Sequence, residues 1–392
     1  MVTDRVTVVI KLYNHPISVS YLLQILQKIS IFAKYFREKR ITFKFMKELK
    51  FLVRNNIMNL DSADCERDNM QYKEILLDAN ENPYNSPLNR YPDTKQTQIK
   101  EKLSKIMRLM PDCMLLCNGI DEIIDLIYRC FAEPKTDNVV MIEPSCGLYK
   151  HYAKINDVEL RKVELDESFQ ITANNILSAC DDKTKVIWIS SPNDPTGNEL
   201  NREEINSLID QFEGIVVLNE SYSDFSKLES MRMELHKHPN LIILNSFSAA
   251  WGCAGLNIGI AFAFPEIIDI LNKVKPIFNI NTPTQELILK QLNNRYEIDK
   301  WINILLMERD RMVEAFKLLP DCEKVFHSDS NFLLIKMHNA KDIYRYLRAN
   351  GIKVCDVSDM PLCNNCLRIT IGSKSENSEL LSVLRQYETE YK

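Results

Sequence analysis

Asn118-Gly119-Ile120-Asp121 lies between an apolar run and an amphipathic segment, so small and polar residues open a helix. A turn of that kind aims backbone N–H groups at whatever lies over it, and the helix dipole makes the spot suit a phosphate. The same tetrapeptide also serves as a plain helix cap. Four more polar stretches follow, at residues 144–149, 190–197, 219–222 and 245–250. Two residues in them have structural uses: Asn193 in Asn193-Asp-Pro-Thr-Gly197 can hold its own turn, and Tyr222 can be packed with its hydroxyl bonded. Arg368 in CLRITIG, near a strand start, can pair with a nearby acid of the chain. Cys363-Asn-Asn-Cys366 is one CxxC with no second pair, which reads as a loop feature ahead of zinc or redox work.

The elements that must position these groups alternate. NVVMIEP, VELRKVEL, KVIWISSP, GIVVLNESY, LIILNSF and NIGIAFAF read as apolar strands, with helical stretches such as 201–212 between some of them. Strands buried on both faces and joined by helical crossovers predict an α/β domain with a mainly parallel sheet. Ligands of such sheets sit at the carboxyl ends of the strands, which is where the polar stretches fall. Helical periodicity is expected over 95–110 and 122–131, with Trp188, Leu218 and Phe247 as core. A long helix from Trp301, then NFLLIKM, a helix over 342–350, CLRITIG and a final helix predict a smaller α+β domain. The expected organisation is a basic extension (1–45), an arm (46–94), a large α/β domain (95–300) and a small domain (301–392).

Composition excludes several classes. The 392 residues hold 49 Lys/Arg against 54 Asp/Glu, a net charge of −5, so no nucleic-acid partner is suggested. No apolar run approaches a membrane span. Eleven cysteines, an odd number, fit a reducing cytoplasmic setting better than a disulfide framework. The first 45 residues differ, with eight Lys/Arg against Asp4 and Glu38. Apolar spacing predicts a basic amphipathic helix over 19–37, readable as a presequence, a surface-binding helix, or an upstream extension before a start at Met46.

LDANENPYN, NRYPD, NG-x-DE, SPNDPTG, NESY, the turn at Ser248, NFLLIK and CLRITIG occur in one order. Together they resemble the class I/II aminotransferases of fold-type I, most closely the histidinol-phosphate aminotransferases, over residues 46–390. The resemblance implies a homodimer, pyridoxal 5'-phosphate (PLP), and amino transfer between histidinol phosphate and 2-oxoglutarate in histidine biosynthesis. It implies that Asn193 and Tyr222 would face the cofactor's ring oxygen, and that Gly119, Asp121 and Ser248 would face its phosphate. Tyr91 would come to the phosphate from the neighbouring subunit, and Arg368 would hold the substrate carboxylate.

Other positions depart from the family's pattern. Ala249 stands where a lysine would hold PLP covalently and move the substrate proton. Asn219 replaces the aspartate that keeps the pyridine nitrogen protonated, and Asn257 the arginine on the phosphate. Ile120 fills the polar middle of the phosphate turn, Cys146 the place of the stacking aromatic, and Ala63 lies near that of a substrate-contacting tyrosine. A laboratory lysine-to-alanine change would explain Ala249 but not the others. A changed reaction would need a proton-moving side chain at 249, and His236 and His238 lie at the wrong end of the preceding strand. The expectation is a protein that keeps the fold, binds no PLP covalently and has lost transfer. It would serve as a small-molecule binder, as a partner in a mixed dimer with an active paralogue, or in no role; an active histidinol-phosphate aminotransferase is the alternative.

Overall fold

The computed structural model describes residues 49–61 and 75–391. The expected helix over 19–37, the extension 1–45 and Ala63 lie outside them. From Leu49 onward the chain forms one compact unit. Seven strands build its larger sheet: β1 (Met114–Asn118), β2 (Asn138–Glu143), β3 (Glu159–Glu164), β4 (Thr184–Ser190), β5 (Ile215–Asn219), β6 (Leu241–Ser246) and β7 (Ile258–Phe262). Their order is β1-β7-β6-β5-β4-β2-β3. The pairs among β3, β2, β4, β5 and β6 are parallel, and β7 runs antiparallel to both β6 and β1. Every residue of β5 and β6 is buried, as a sheet covered on both faces requires.

The covering helices are set by local chemistry. α1 (Thr97–Met107) buries Ile99, Leu103 and Met107, and α2 (Gly119–Phe131) buries an apolar stripe that includes Ile123, Ile127 and Phe131. α3 (Leu148–Ile155) and α4 (Ala173–Ser178) follow β2 and β3. α5 (Arg202–Gln211) starts where the Asn201 side chain accepts hydrogen bonds from the N–H groups of Glu203 (2.8 Å) and Glu204 (3.3 Å). Such a cap contributes about 1 kcal/mol. α6 (Pro265–Val274) and α7 (Thr282–Gln291) both have proline in the first turn, where no N–H is needed.

The long helix, α8 (Arg295–Lys317), starts six residues earlier than the expectation at Trp301. The extra turns carry Ile298 and, with Ile302, join the core of the large sheet. Met312 and Phe316 at the other end join a second core. That core lies under a four-stranded antiparallel sheet ordered β10 (Cys355–Asp356), β11 (Cys366–Thr370), β9 (Phe332–Met337) and β8 (Cys322–Val325). α9 (Ala340–Ala349) and α10 (Lys374–Tyr391) cover it. The predicted α/β architecture, a large mainly parallel sheet plus a smaller α+β unit, is the one observed. Among the described residues no helix is long and apolar enough to cross a membrane.

Candidate active site

The parallel strands β2, β4, β5 and β6 end at Glu143, Ser190, Asn219 and Ser246, so all four polar stretches emerge on one edge of the sheet. One wall of the cleft there is the start of α2. Gly119 has φ +76°, and the Asn257 amide lies against it so closely that a Cβ at 119 would meet Asn257 Oδ1 at 2.7 Å. Gly259 packs closer still: its Cβ would lie 2.4 Å from the Gly119 carbonyl carbon and 2.6 Å from the Ile120 nitrogen. Only glycine fits both places. Asn257 itself is left-handed, at φ 48°. Glu122 folds back so that its carboxylate accepts the Asn118 N–H at 2.6 Å. Asp121 and Glu122 lie in the first turn, where the dipole favours acids. This wall is made chiefly of backbone.

The opposite wall is made of side chains. Asn193 is fully buried; its Nδ2 donates to the Pro144 carbonyl (2.9 Å) and Thr196 Oγ1 (2.9 Å), and its Oδ1 accepts from Ser145 Oγ (3.1 Å). The amide therefore holds its loop. Asn219 donates from Nδ2 to Tyr149 Oη (3.0 Å), while its Oδ1 accepts from Ser221 N (3.0 Å) and Ser221 Oγ (2.6 Å). Tyr149 Oη also shares a hydrogen bond with Ser190 Oγ (2.9 Å), and its ring stacks on Trp188 with centroids 4.9 Å apart. Burial, reinforced by the nearby Cys146 thiol, pushes the Tyr149 phenol well above its ordinary pKa, so it stays a neutral donor and acceptor.

Between the walls, Arg368 on β11 is ion-paired with Asp194 Oδ1, and Tyr222 Oη donates to Asp194 Oδ2 at 3.3 Å. The guanidinium carbon lies 5.6 Å over the Phe332 ring, which Tyr222 meets edge-on at 5.1 Å. Burial works against the guanidinium charge, but the charge and hydrogen bond of Asp194 outweigh it and raise the Arg368 pKa on balance. Cys146 lies near this pair, its thiol pushed up to about 11 mainly by burial. Ser248 and Ala249 follow β6; Ser248 N–H donates to Ser246 Oγ (3.1 Å), and the Ala249 methyl packs half-buried against the main core.

Tyr91, expected to serve a neighbouring subunit, is exposed on this chain, stacked on Phe278 with centroids 4.2 Å apart. His236 and His238 precede Leu241, at the opposite end of β6 from Ser246. Cys363 and Cys366 are buried, with thiols pushed by burial up to about 12 and about 11, and the described residues contain no cluster able to hold a metal ion. Sequence reasoning missed Asp194, Tyr149 and Glu122. Asp194 had a signal, as a lone acid inside a polar strand-end motif. Tyr149 had none, because its role depends on which strand lies beside α3.

Residues 55–384 match the model for aminotransferase class I and II, and the chain belongs to that family. Within it the similarity is to histidinol-phosphate aminotransferases. The one from Bacteroides thetaiotaomicron is 47% identical over 347 residues, covering 88% of this chain and 100% of the relative. That of Parabacteroides distasonis is 45% identical over 341 residues, covering 87% and 99%. Among solved structures, the histidinol-phosphate aminotransferase of Clostridium acetobutylicum superposes with a TM-score of 0.71 at 22% identity, covering 77% of this chain and 92% of that one. The Sinorhizobium meliloti enzyme, solved in complex with pyridoxal-5'-phosphate, gives 0.69 at 19% identity, covering 76% and 83%. At those identities the structures speak for the fold alone.

Proposed function

We propose that this chain is a protein of the histidinol-phosphate aminotransferase type, whose cleft takes PLP and a phosphorylated amino alcohol. The reaction that goes with this reading is amino transfer between histidinol phosphate and 2-oxoglutarate. The observation that supports it most strongly is 47% identity to a histidinol-phosphate aminotransferase along that relative's whole length. PLP, the cofactor of this family, supplies an electron-accepting ring when bound. The wall at Gly119–Asp121 fits its phosphate, because backbone N–H groups at a helix start need no particular side chain. Ser248 follows the strand whose end, Ser246, pairs with Gly259.

The ring end fits less well, and this favours a second reading. Both polar atoms of the Asn219 amide are engaged by Tyr149 and Ser221. Ala249 has no amine to bind the cofactor or move a proton. On this reading the cleft binds without transferring, and the chain acts as a sensor or as one half of a mixed dimer. The exposed apolar side chains Ile75, Leu77, Tyr84, Leu88 and Tyr91 on the segment before α1 support assembly with a second subunit in either case.

Complementation separates the two readings. A strain lacking histidinol-phosphate aminotransferase, given this chain, should grow without histidine if transfer is retained. No growth, with folded protein present, leaves the binding reading. An absorption spectrum with added PLP before and after borohydride then shows whether any lysine of the chain becomes fixed to the cofactor.

A further inference from the structure

Asn219 ends β5 on the edge of the sheet where the cleft lies, and the backbone there is fixed from both sides. Ser191 N–H donates to the Asn219 carbonyl at 3.0 Å, and Glu220 N–H donates to the Leu244 carbonyl at 2.8 Å. The direction of the side-chain amide is fixed as well. Its Oδ1 accepts from the Ser221 backbone N–H (3.0 Å) and from Ser221 Oγ (2.6 Å), and a backbone N–H can only donate. A flipped amide would set its NH2 group against that N–H. Two donors already occupy the two lone pairs of Oδ1. Nδ2 is different, since it carries two hydrogens and Tyr149 Oη, at 3.0 Å, takes one. The second has no partner among the described residues, although Asn219 is only 6% exposed. A buried donor left over in this way calls for a partner.

The acids around the amide are committed elsewhere. Glu220, the next residue, turns its carboxylate to Ser230 Oγ and to the Met231 N–H at 2.8 Å. Asp194 is ion-paired with Arg368. Tyr149 and Cys146 stay neutral, because burial raises both. At the carboxyl end of β5, one N–H is therefore what Asn219 has to offer a ligand. A protonated ring nitrogen needs an acceptor, and an unprotonated one needs a donor. An ionised aspartate, which the family pattern has at this position, only accepts, so Asn219 reverses the polarity. We propose that Asn219 is a specificity residue that donates to an unprotonated ring nitrogen, so that the cleft takes a phosphorylated heteroaromatic ligand as an acceptor and not as a pyridinium. The proposal rests on the reading of this cleft as the PLP site and deepens it. A ring held in this form draws electrons less strongly, so transfer, if retained, runs on a weaker electron acceptor.

Pyridoxine 5'-phosphate labelled with 15N in its ring tests this on the full chain, because the alcohol forms no covalent bond to the protein. The ring 15N shift, followed against pH, reads the protonation state of the bound nitrogen without any turnover. In the unaltered chain the ring pKa should lie about one unit or more below that of the free ligand, about a 10-fold preference for the unprotonated form. Asn219→Asp, which supplies an anion, should move it about one unit or more above the free ligand. Asn219→Leu, which offers no hydrogen bond, should lose most of the downward shift and weaken binding by about 3-fold to 10-fold. A downward shift that persists in Asn219→Leu would assign it to burial of the ring and overturn the role of Asn219. Should that variant not fold, Asn219→Asp decides: a ring pKa as low as in the unaltered chain overturns the role. A ring pKa unchanged or raised in the unaltered chain also overturns it, while leaving the cleft as the cofactor site. Binding to none of the proteins would overturn both.

Discussion

The two walls of the cleft are built from different materials. At the start of α2 the wall is backbone, and what fixes it is the close approach of Gly259 to Gly119. Across from it, at the ends of β4 and β5, the groups are side-chain heads; Asn193, Asn219 and Asp194 all bond to partners within the chain, Asp194 to Arg368 on β11. A backbone wall survives substitution of most side chains around it, because its donors belong to every residue type. A side-chain wall changes with each substitution, since a buried polar group that lacks its old partner must find another. Tyr149, Ser221 and Tyr222 are the partners found here.

If the difference between the walls governs activity, the largest effect belongs to the missing amine. Ala249→Lys should raise amino transfer from histidinol phosphate by about 100-fold or more, the scale of a positioned proton-moving side chain. It should still fall short of the variant that adds Asn219→Asp and Asn257→Arg, because Tyr149 and Ser221 hold the Asn219 amide. Glutamate formation followed in a coupled assay measures both. An unaltered chain as fast as Ala249→Lys would remove the case for the binding reading. On the backbone wall, Gly259→Ala should lower the stability by about 1–3 kcal/mol in urea melts, since the new methyl enters the Gly119 carbonyl. Gly255→Ala, with no atom within 4 Å of its Cβ position, is the control and should change little.

The backbone wall was also the more legible of the two in the sequence. Alternating apolar strands and helical stretches predict the sheet because hydrophobic periodicity is a local property, and polar motifs at strand ends predict where a ligand would lie. The NG-x-D turn announced the α2 start by itself. The partner of each side chain was not legible, because it depends on strand order and on which rotamer burial selects. Asn193 and Asp194 are adjacent, and only the fold turns the first into the loop and the second toward Arg368. The α8 start was misplaced for a related reason: Ile298 and Ile302 serve one core and Met312 and Phe316 another, so no single apolar stripe marks the whole helix.

The side-chain wall makes a stability prediction of the same order. Tyr149→Phe leaves Asn219 Nδ2 and Ser190 Oγ without the shared hydroxyl. The cost should be about 1–3 kcal/mol, and it should be less than additive with Ser190→Ala if the three groups act as one network. Additive losses in urea melts would mean that the Tyr149 and Ser190 hydroxyls do not stabilise each other.

The smallest effect lies behind the backbone wall. Lys100 on α1 is pulled down to about 8 by burial and then by the neighbouring Lys275, against weaker pulls upward from Cys117, Asp93 and Asp112. Lys275 in turn donates to Asn279 Oδ1 at 3.2 Å, and Asn279 donates to the Leu116 carbonyl beneath the α2 start. Between that folded value and the ordinary 10.5 the unfolded chain binds more protons than the folded one, so stability attributable to Lys100 rises with pH across that window. At pH 7 both states hold the proton and the folded state bears the full cost of a buried charge. Lys100→Met should therefore raise the urea midpoint at pH 7, and the gain should shrink above pH 8 and vanish near 10.5. Groups not coupled to Lys100 titrate alike in both proteins, so the variant-minus-parent difference reports Lys100 together with its coupled neighbour Lys275. A gain that is flat with pH would assign the effect to packing of the methionine, and would mean that the paired lysines put no charge strain on the wall that holds its shape best.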